Sequence, residues 1–162
     1  MATFLKRPIQ IVENFLRLDP HEITNIILSD KGFQQFILDL VRINQLYEKG
    51  EDGLGRKLRS EFAIGGKVYA TFTEIQKQFF RSPRQPIDRV TLKDSGAFYE
   101  SFRLELSSTF FTIDANTLKE SGDLKETWGE NILTLNDENF QKVIDKLRHE
   151  ISKMVKRLIL AA

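Results

Sequence analysis

Phe102-Arg103-Leu104-Glu105-Leu106-Ser107-Ser108-Thr109-Phe110-Phe111-Thr112-Ile113 decides the fold of this 162-residue chain. Leu104 and Leu106 alternate with Arg103 and Glu105, a period of two that fits a half-buried strand. Across a short Ser-Ser-Thr turn, Phe110 to Ile113 gives a second β-rich run, so the stretch reads as an antiparallel hairpin. The segments far from it have helical periodicity. The chain is therefore read as α+β: N-terminal helices, a small antiparallel β-sheet with a central hairpin, and a long C-terminal amphipathic helix.

Downstream of the hairpin, Asn116 to Asp123 is polar, contains Gly122, and reads as a surface excursion. Trp128-Gly129 leads through Ile132-Leu133 to Asn136, whose side chain suits the N-cap of the final helix. Phe140, Val143, Ile144, Leu147, Ile151, Met154, Val155 and Leu158 form the apolar stripe of that helix. Asp137 and Glu138 suit its positive end, Lys153, Lys156 and Arg157 its negative end.

Upstream, Pro8 opens a first helix with Ile9, Ile11, Val12, Phe15 and Leu16 on its apolar face. Asp19-Pro20-His21-Glu22 is an Asp variant of the capping box and opens a second, which ends near Ser29-Asp30. A third runs from about Gly32 to Lys49, with Phe33, Phe36, Ile37, Leu40, Val41, Ile43 and Tyr47 in its stripe. Gly50 is its left-handed stop. Residues 1–162 form one domain on this reading, with a helical part (1–49), a flexible Gly-rich connector (50–55) and an α+β part (56–162). The connector is no phosphate loop, because it lacks the terminal Lys-Ser/Thr and follows a helix where a strand is required.

Composition narrows the function classes. The chain has no Cys and only two His, His21 and His149, which excludes a disulfide scaffold, a thiol nucleophile and any Cys-containing zinc site. Both His have surface positions on their helices, and carboxylates such as Glu51 with Asp52, or Asp145 with Glu150, read as solvated faces. No pairing of nucleophile and base suggests itself, so the chain is read as a non-enzyme without cofactor or metal. No apolar run is long enough for a membrane span, and the first residues lack signal-peptide order. Thirteen Phe against one Trp and three Tyr point to a core or interface of rings without polar handles.

A net charge of +1 conceals a basic middle: from Arg56 to Asp94 nine basic residues face four acidic ones, leaving the remainder near −4. Tyr69 to Lys77 reads as the start of a short helix with Phe72, Ile75 and Phe79 on one face. Ser82 to Pro86 must be a loop, since its two prolines break any ladder. In Leu92-Lys93-Asp94-Ser95-Gly96-Ala97-Phe98, Asp94 or Ser95 suits the cap of a short helix, and Gly96 permits close approach of another backbone.

Three motifs in this part resemble a known family. Leu92-Lys93-Asp94-Ser95-Gly96-Ala97-Phe98, with Ser101 following, is similar to the Asp-Thr/Ser-Gly signature of tail-completion and neck proteins, the head-tail connector minor structural proteins of long-tailed bacteriophages and prophages. Tyr69-Ala70-Thr71 with Ile75 and Lys77 is similar to a Tyr-Ala-Pro-Thr/Ser segment that often precedes that signature. Trp128-Gly129 followed by Ile132-Leu133-Thr134-Leu135 resembles the family's aromatic-Gly and Ile-Leu-Gly-Leu run. Ser95 stands for the commoner Thr, Thr134 for a Gly, and Gly65 to Val68 has no counterpart. The resemblance covers a little over half the chain.

It implies a virion protein that waits in the host cytoplasm until assembly and then forms a homo-oligomeric ring at the head-tail junction, beside portal, connector or tail proteins. It implies Asp94, Ser95, Gly96, Phe98 and Ser101 as the structural signature. Lys77, Arg81, Arg84 and Arg89 are the candidate contacts to DNA in a channel or to an acidic neighbouring ring. Unpaired sheet edges suit the joining of subunits, and the long final helix suits packing outside the ring or docking on a neighbour. The rival reading is a cytoplasmic nucleic-acid-binding or regulatory protein that uses the basic segment 56–93, with Tyr69, Phe79 and Phe80 stacking on bases.

Overall fold

The computed structural model describes residues 19–81, 84–107, 110–119 and 122–160. The helix expected from Pro8 lies outside them. Helix α1 (Pro20–Ser29) starts as its sequence demands, with Asp19 Oδ1 accepting the His21 N–H at 2.8 Å and Pro20 in the first turn. Asp30 ends it and caps the next helix by accepting from Phe33 N–H at 2.9 Å. Helix α2 (Lys31–Asp39) continues without a break into a π-helical segment, Leu40–Lys49, which Gly50 stops with a left-handed φ of 62°.

The π segment corrects the expected stripe. Its i→i+5 turns widen the repeat, so that Gln45 and Leu46 follow Val41 onto the buried face while Ile43 turns outward. Residues 50–55 form an anchored loop rather than a flexible connector. Gly53 N–H donates to Asn131 O at 2.8 Å, and Glu51 bridges Lys57 in antiparallel fashion. Asp52, expected on a solvated face, is 2% exposed and accepts from the N–H groups of Leu54 and Arg56 and from Arg56 Nε.

Helix α3 (Thr71–Ile75) runs into a second π-helical turn, Gln76–Phe80, and α4 (Ala97–Glu100) precedes the hairpin. Strands β1 (Arg103–Leu106) and β2 (Phe111–Asp114) pair antiparallel with Leu104 opposite Ile113. The excursion read after the hairpin contains a strand pair: β3 (Leu118–Lys119) pairs with β4 (Gly122–Asp123), and Asp123 caps α5 (Leu124–Trp128) through Lys125 N–H. A 3-10 turn (Glu130–Leu133) then leads to α6 (Asp137–Leu160), capped by Asn136 as expected, its Oδ1 accepting from Asn139 N–H at 2.9 Å. Small antiparallel sheets among helices, with a long helix at the C-terminal end, make this an α+β fold.

The core has two clusters. One gathers Leu46, Leu58, Tyr69, Val90, Phe98, Tyr99, Phe102, Ile132 and Leu133; the other sets Ile23, Ile27, Phe33 and Ile37 against Val143 of α6. Leu104, Ile113 and Leu135 pack against both. Phe140 departs from the expected stripe and is about half exposed near the start of α6.

Candidate functional site

Tyr69 and Lys77 of the resemblance meet at Thr91, just before the signature, and Thr91 is fully buried. Its N–H donates to the Tyr69 hydroxyl at 2.8 Å, and its carbonyl accepts from the Tyr99 hydroxyl. Burial raises both phenols above their ordinary range, which keeps them protonated for this task. Tyr99 stacks edge-on with Phe98, and Phe98 with Phe102, at centroid distances of 5.9 and 4.9 Å. Aromatic pairs of this geometry add about 0.5–1.5 kcal/mol each beyond area burial.

Lys77 closes the other side. It projects inward from the π turn that follows α3 and is buried at 8% exposure. Its ammonium donates to Gln85 Oε1 at 2.8 Å, Thr91 Oγ1 at 3.2 Å and the Lys93 carbonyl at 3.1 Å. Three acceptors match the three donors of an ammonium group. The same nitrogen stands 4.9 Å from the centre of the Tyr69 ring, a cation–π contact. Burial pushes the group down to about 8, with Asp94 opposing that shift. Lys77 is thus a buried tie across the basic segment, which removes it from the expected surface contacts.

The chain bends sharply between these anchors. Leu92 adopts a left-handed φ of 52°, uncommon for a residue with a branched side chain, and its carbonyl accepts from Lys119 Nζ at 3.4 Å. Such a residue stores on the order of 1–3 kcal/mol, sustained by the contacts on both sides. Asp94 does not cap α4; its carboxylate pairs with Arg81. Nor does Ser95: the N-cap position is Gly96, without a side-chain cap bond, and Ser95 Oγ accepts from Ala97 N–H at 3.3 Å. Gly96 is required by its φ of 103° rather than by close approach, for nothing lies within 3.4 Å of where a Cβ would stand. Ser101 joins α4 to the segment that follows β2, donating to Phe98 O at 2.7 Å and accepting from Asn116 N–H at 2.9 Å.

The remaining basic candidates are distributed differently. Arg89 donates to the Tyr47 carbonyl at 2.8 Å and pairs with Asp88, Arg81 pairs with Asp94, and Arg84 is exposed. Tyr69 is buried and cannot stack on a base, whereas Phe79 and Phe80 are 75% and 76% exposed. A cleft of about 550 Å³ lies beside the signature, lined by Asp94, Ser95, Gly96, Phe98, Asn116 and Lys119. A larger cavity, about 1110 Å³, lies away from the joint between α1 and α6, with Ile27, Phe33 and Met154 among its lining residues. His21 and His149 are exposed on those two helices, and among the described residues no three His, Asp or Glu side chains gather as a metal site requires.

Two participants escaped the sequence reading. Gln85 sits in a proline loop, yet it is buried and binds Lys77, with its Nε2 donating to Asp94 O at 3.3 Å. Gln45 lies at 0% exposure, donates to Thr134 O at 2.9 Å and accepts from Asn136 N–H at 2.9 Å. Neither carries a local signal, because a glutamine in a helix or loop has the same sequence appearance buried or exposed. No protein-family model, no curated protein and no solved structure matches the chain.

Proposed function

We propose that the chain is a non-enzymatic structural protein of a phage particle, assembled at the head-tail junction as a ring subunit alongside portal, connector or tail proteins. One observation supports this reading above others: Tyr69 and Lys77 of the resemblance meet the chain at Thr91 and Lys93, immediately before the Asp94-Ser95-Gly96 signature, in one hydrogen-bonded joint. The polar groups at its centre bind one another, so the joint serves shape rather than turnover.

The rival reading, nucleic-acid binding in a cytoplasm, loses Lys77 to the interior and Tyr69 to the core, and it finds Arg81 and Arg89 already engaged with neighbouring carboxylates. Deleting the gene from a genome that makes particles decides between them. The expected result is DNA-filled heads and separate tails in electron micrographs, with the chain located at the neck of wild-type particles by antibody labelling. Joined, infectious particles without the chain would overturn the proposal. Steeply salt-dependent DNA affinity of the purified monomer would favour the rival.

A further inference from the structure

Asp19, the first residue the structure describes, stands on the rim of the cavity of about 1110 Å³ between α1 and α6. That volume exceeds the roughly 300–1,000 Å³ of small-molecule sites. Its outline follows the two helices. Glu22, Ile26 and Ser29 line it along α1, and Lys146, Glu150, Lys153 and Arg157 line it along α6. Both sets recur every three or four residues, so each helix supplies one side of a groove. Helix α1 is about 15 Å long and the stretch 146–157 about 16 Å. Ile27, Phe33 and Met154 supply the apolar lining, and Ile26 is left 52% exposed.

The sequence that leads into Asp19 suits this groove. Placed on a helix, residues 8–18 divide into two faces: Ile9, Ile11, Val12, Phe15 and Leu16 on one, Gln10, Glu13, Asn14 and Arg17 on the other. So short a helix is marginal alone in water and needs another element to bury its apolar face. Its length would be about 16 Å, which matches the groove. The junction sets its direction. Asp19 is extended, with φ −81° and ψ 116°, and Pro20 follows it, so a preceding helix cannot run on into α1. A link this short makes consecutive helices antiparallel neighbours, which carries 8–18 back along α1 toward Ser29. Charge does not choose the occupant, because the groove carries both signs: Asp19 and Glu22 on one side, Lys146, Arg157 and a Lys153–Glu150 pair on the other. The tether does, since a segment joined so closely has an effective concentration on the order of millimolar, above that of a second copy in ordinary solution.

We infer that residues 8–18 dock as an amphipathic helix in the groove between α1 and α6 of their own chain. The groove is then an internal docking site, read by apolar anchors three, four and seven residues apart, and not a ligand pocket. This concerns the chain by itself and stands or falls apart from the phage reading.

Hydrogen exchange of the full-length chain, read by mass spectrometry, tests it. The first amides of a helix have no partner within it, so protection is expected at 12–18, where exchange should be at least about tenfold slower than in an unstructured peptide of the same sequence. Ile26→Glu with Met154→Glu puts carboxylates into the groove and should return 12–18 to the unstructured rate, while peptides covering 41–46 keep theirs. Val12→Glu with Leu16→Glu leaves every described residue as it is and decides the matter should the groove variant unfold. It should also speed exchange at 24–29 of α1, and unchanged exchange there would overturn the inference. Exchange of 12–18 at the unstructured rate in wild type would overturn it too. Protection that survives the groove variant would place the segment elsewhere. Protection that appears only as concentration and sedimenting mass rise together would assign the groove to a second copy, and either result overturns docking within one chain.

Discussion

Lys77 gives the joint a pH signature whose sign is opposite to that of a surface ion pair. Its folded value is about 8 and its ordinary value 10.5, so between those limits the unfolded chain holds more protons than the folded one. Stability contributed at this site therefore rises with pH across that window, by up to roughly 3 kcal/mol if the whole difference is realised. Urea unfolding of wild type and Lys77→Met at pH 7 and at pH 9.5 isolates the effect. The stability of wild type relative to the variant should increase at the higher pH, and a constant difference would remove burial as the dominant influence on this lysine. Gly96 offers a separate residue-scale check, because its φ of 103° is the only obstacle to a side chain. Gly96→Ala should cost about 1–2 kcal/mol in chemical denaturation, as expected for a Cβ forced into left-handed backbone.

Elements here are defined by close backbone fits as much as by stripes. A Cβ on Gly53 would stand 1.8 Å from Thr134 Oγ1 and 2.8 Å from the Thr134 carbonyl. The hydroxyl can rotate away but the carbonyl cannot, so Gly53→Ala should destabilise by about 1–3 kcal/mol through overpacking. Thermal melts of this variant beside Gly55→Ala make the comparison, since open space surrounds Gly55 and its cost comes from φ alone. What the sequence made legible follows the same division between local and distant causes. Asp19-Pro20, the Gly50 stop, the hairpin and the Asn136 cap could be read because each signal lies within a few residues of its effect. The inward turn of Lys77 and Gln45 could not. Their burial depends on partners such as Thr134, 89 positions from Gln45, and on π turns that shift which side of the helix faces the core. Of the site, the resemblance singled out Tyr69, Lys77 and the signature as sequence, while the bonds that join them at Thr91, the part of Gln85 and the outward phenylalanines of α3 emerge only from the packing.

The whole molecule is held by polar and apolar crossings between its two core clusters. Leu104, Ile113 and Leu135 touch both, and Gln45 ties the first helical part to the turn before α6 with one buried and one part-buried hydrogen bond. Asn139 adds a third crossing, its Nδ2 donating to Leu40 O at 3.0 Å. These links predict that the clusters unfold as one cooperative unit, and the chain carries convenient reporters for each. Trp128, the only tryptophan, packs against the first cluster, whereas α6 joins the second and makes a large contribution to the helical circular dichroism. Fluorescence and circular dichroism should therefore report the same denaturation midpoint, as two-state unfolding requires. Gln45→Ala strands the Thr134 carbonyl and the Asn136 N–H in the interior, at about 1–3 kcal/mol for each group that stays dry. Both probes should move together to a lower midpoint in that variant. Two separated transitions in wild type would mean that the clusters fold independently, and that the crossings at Gln45 and Asn139 are contacts between units rather than the fastening of one.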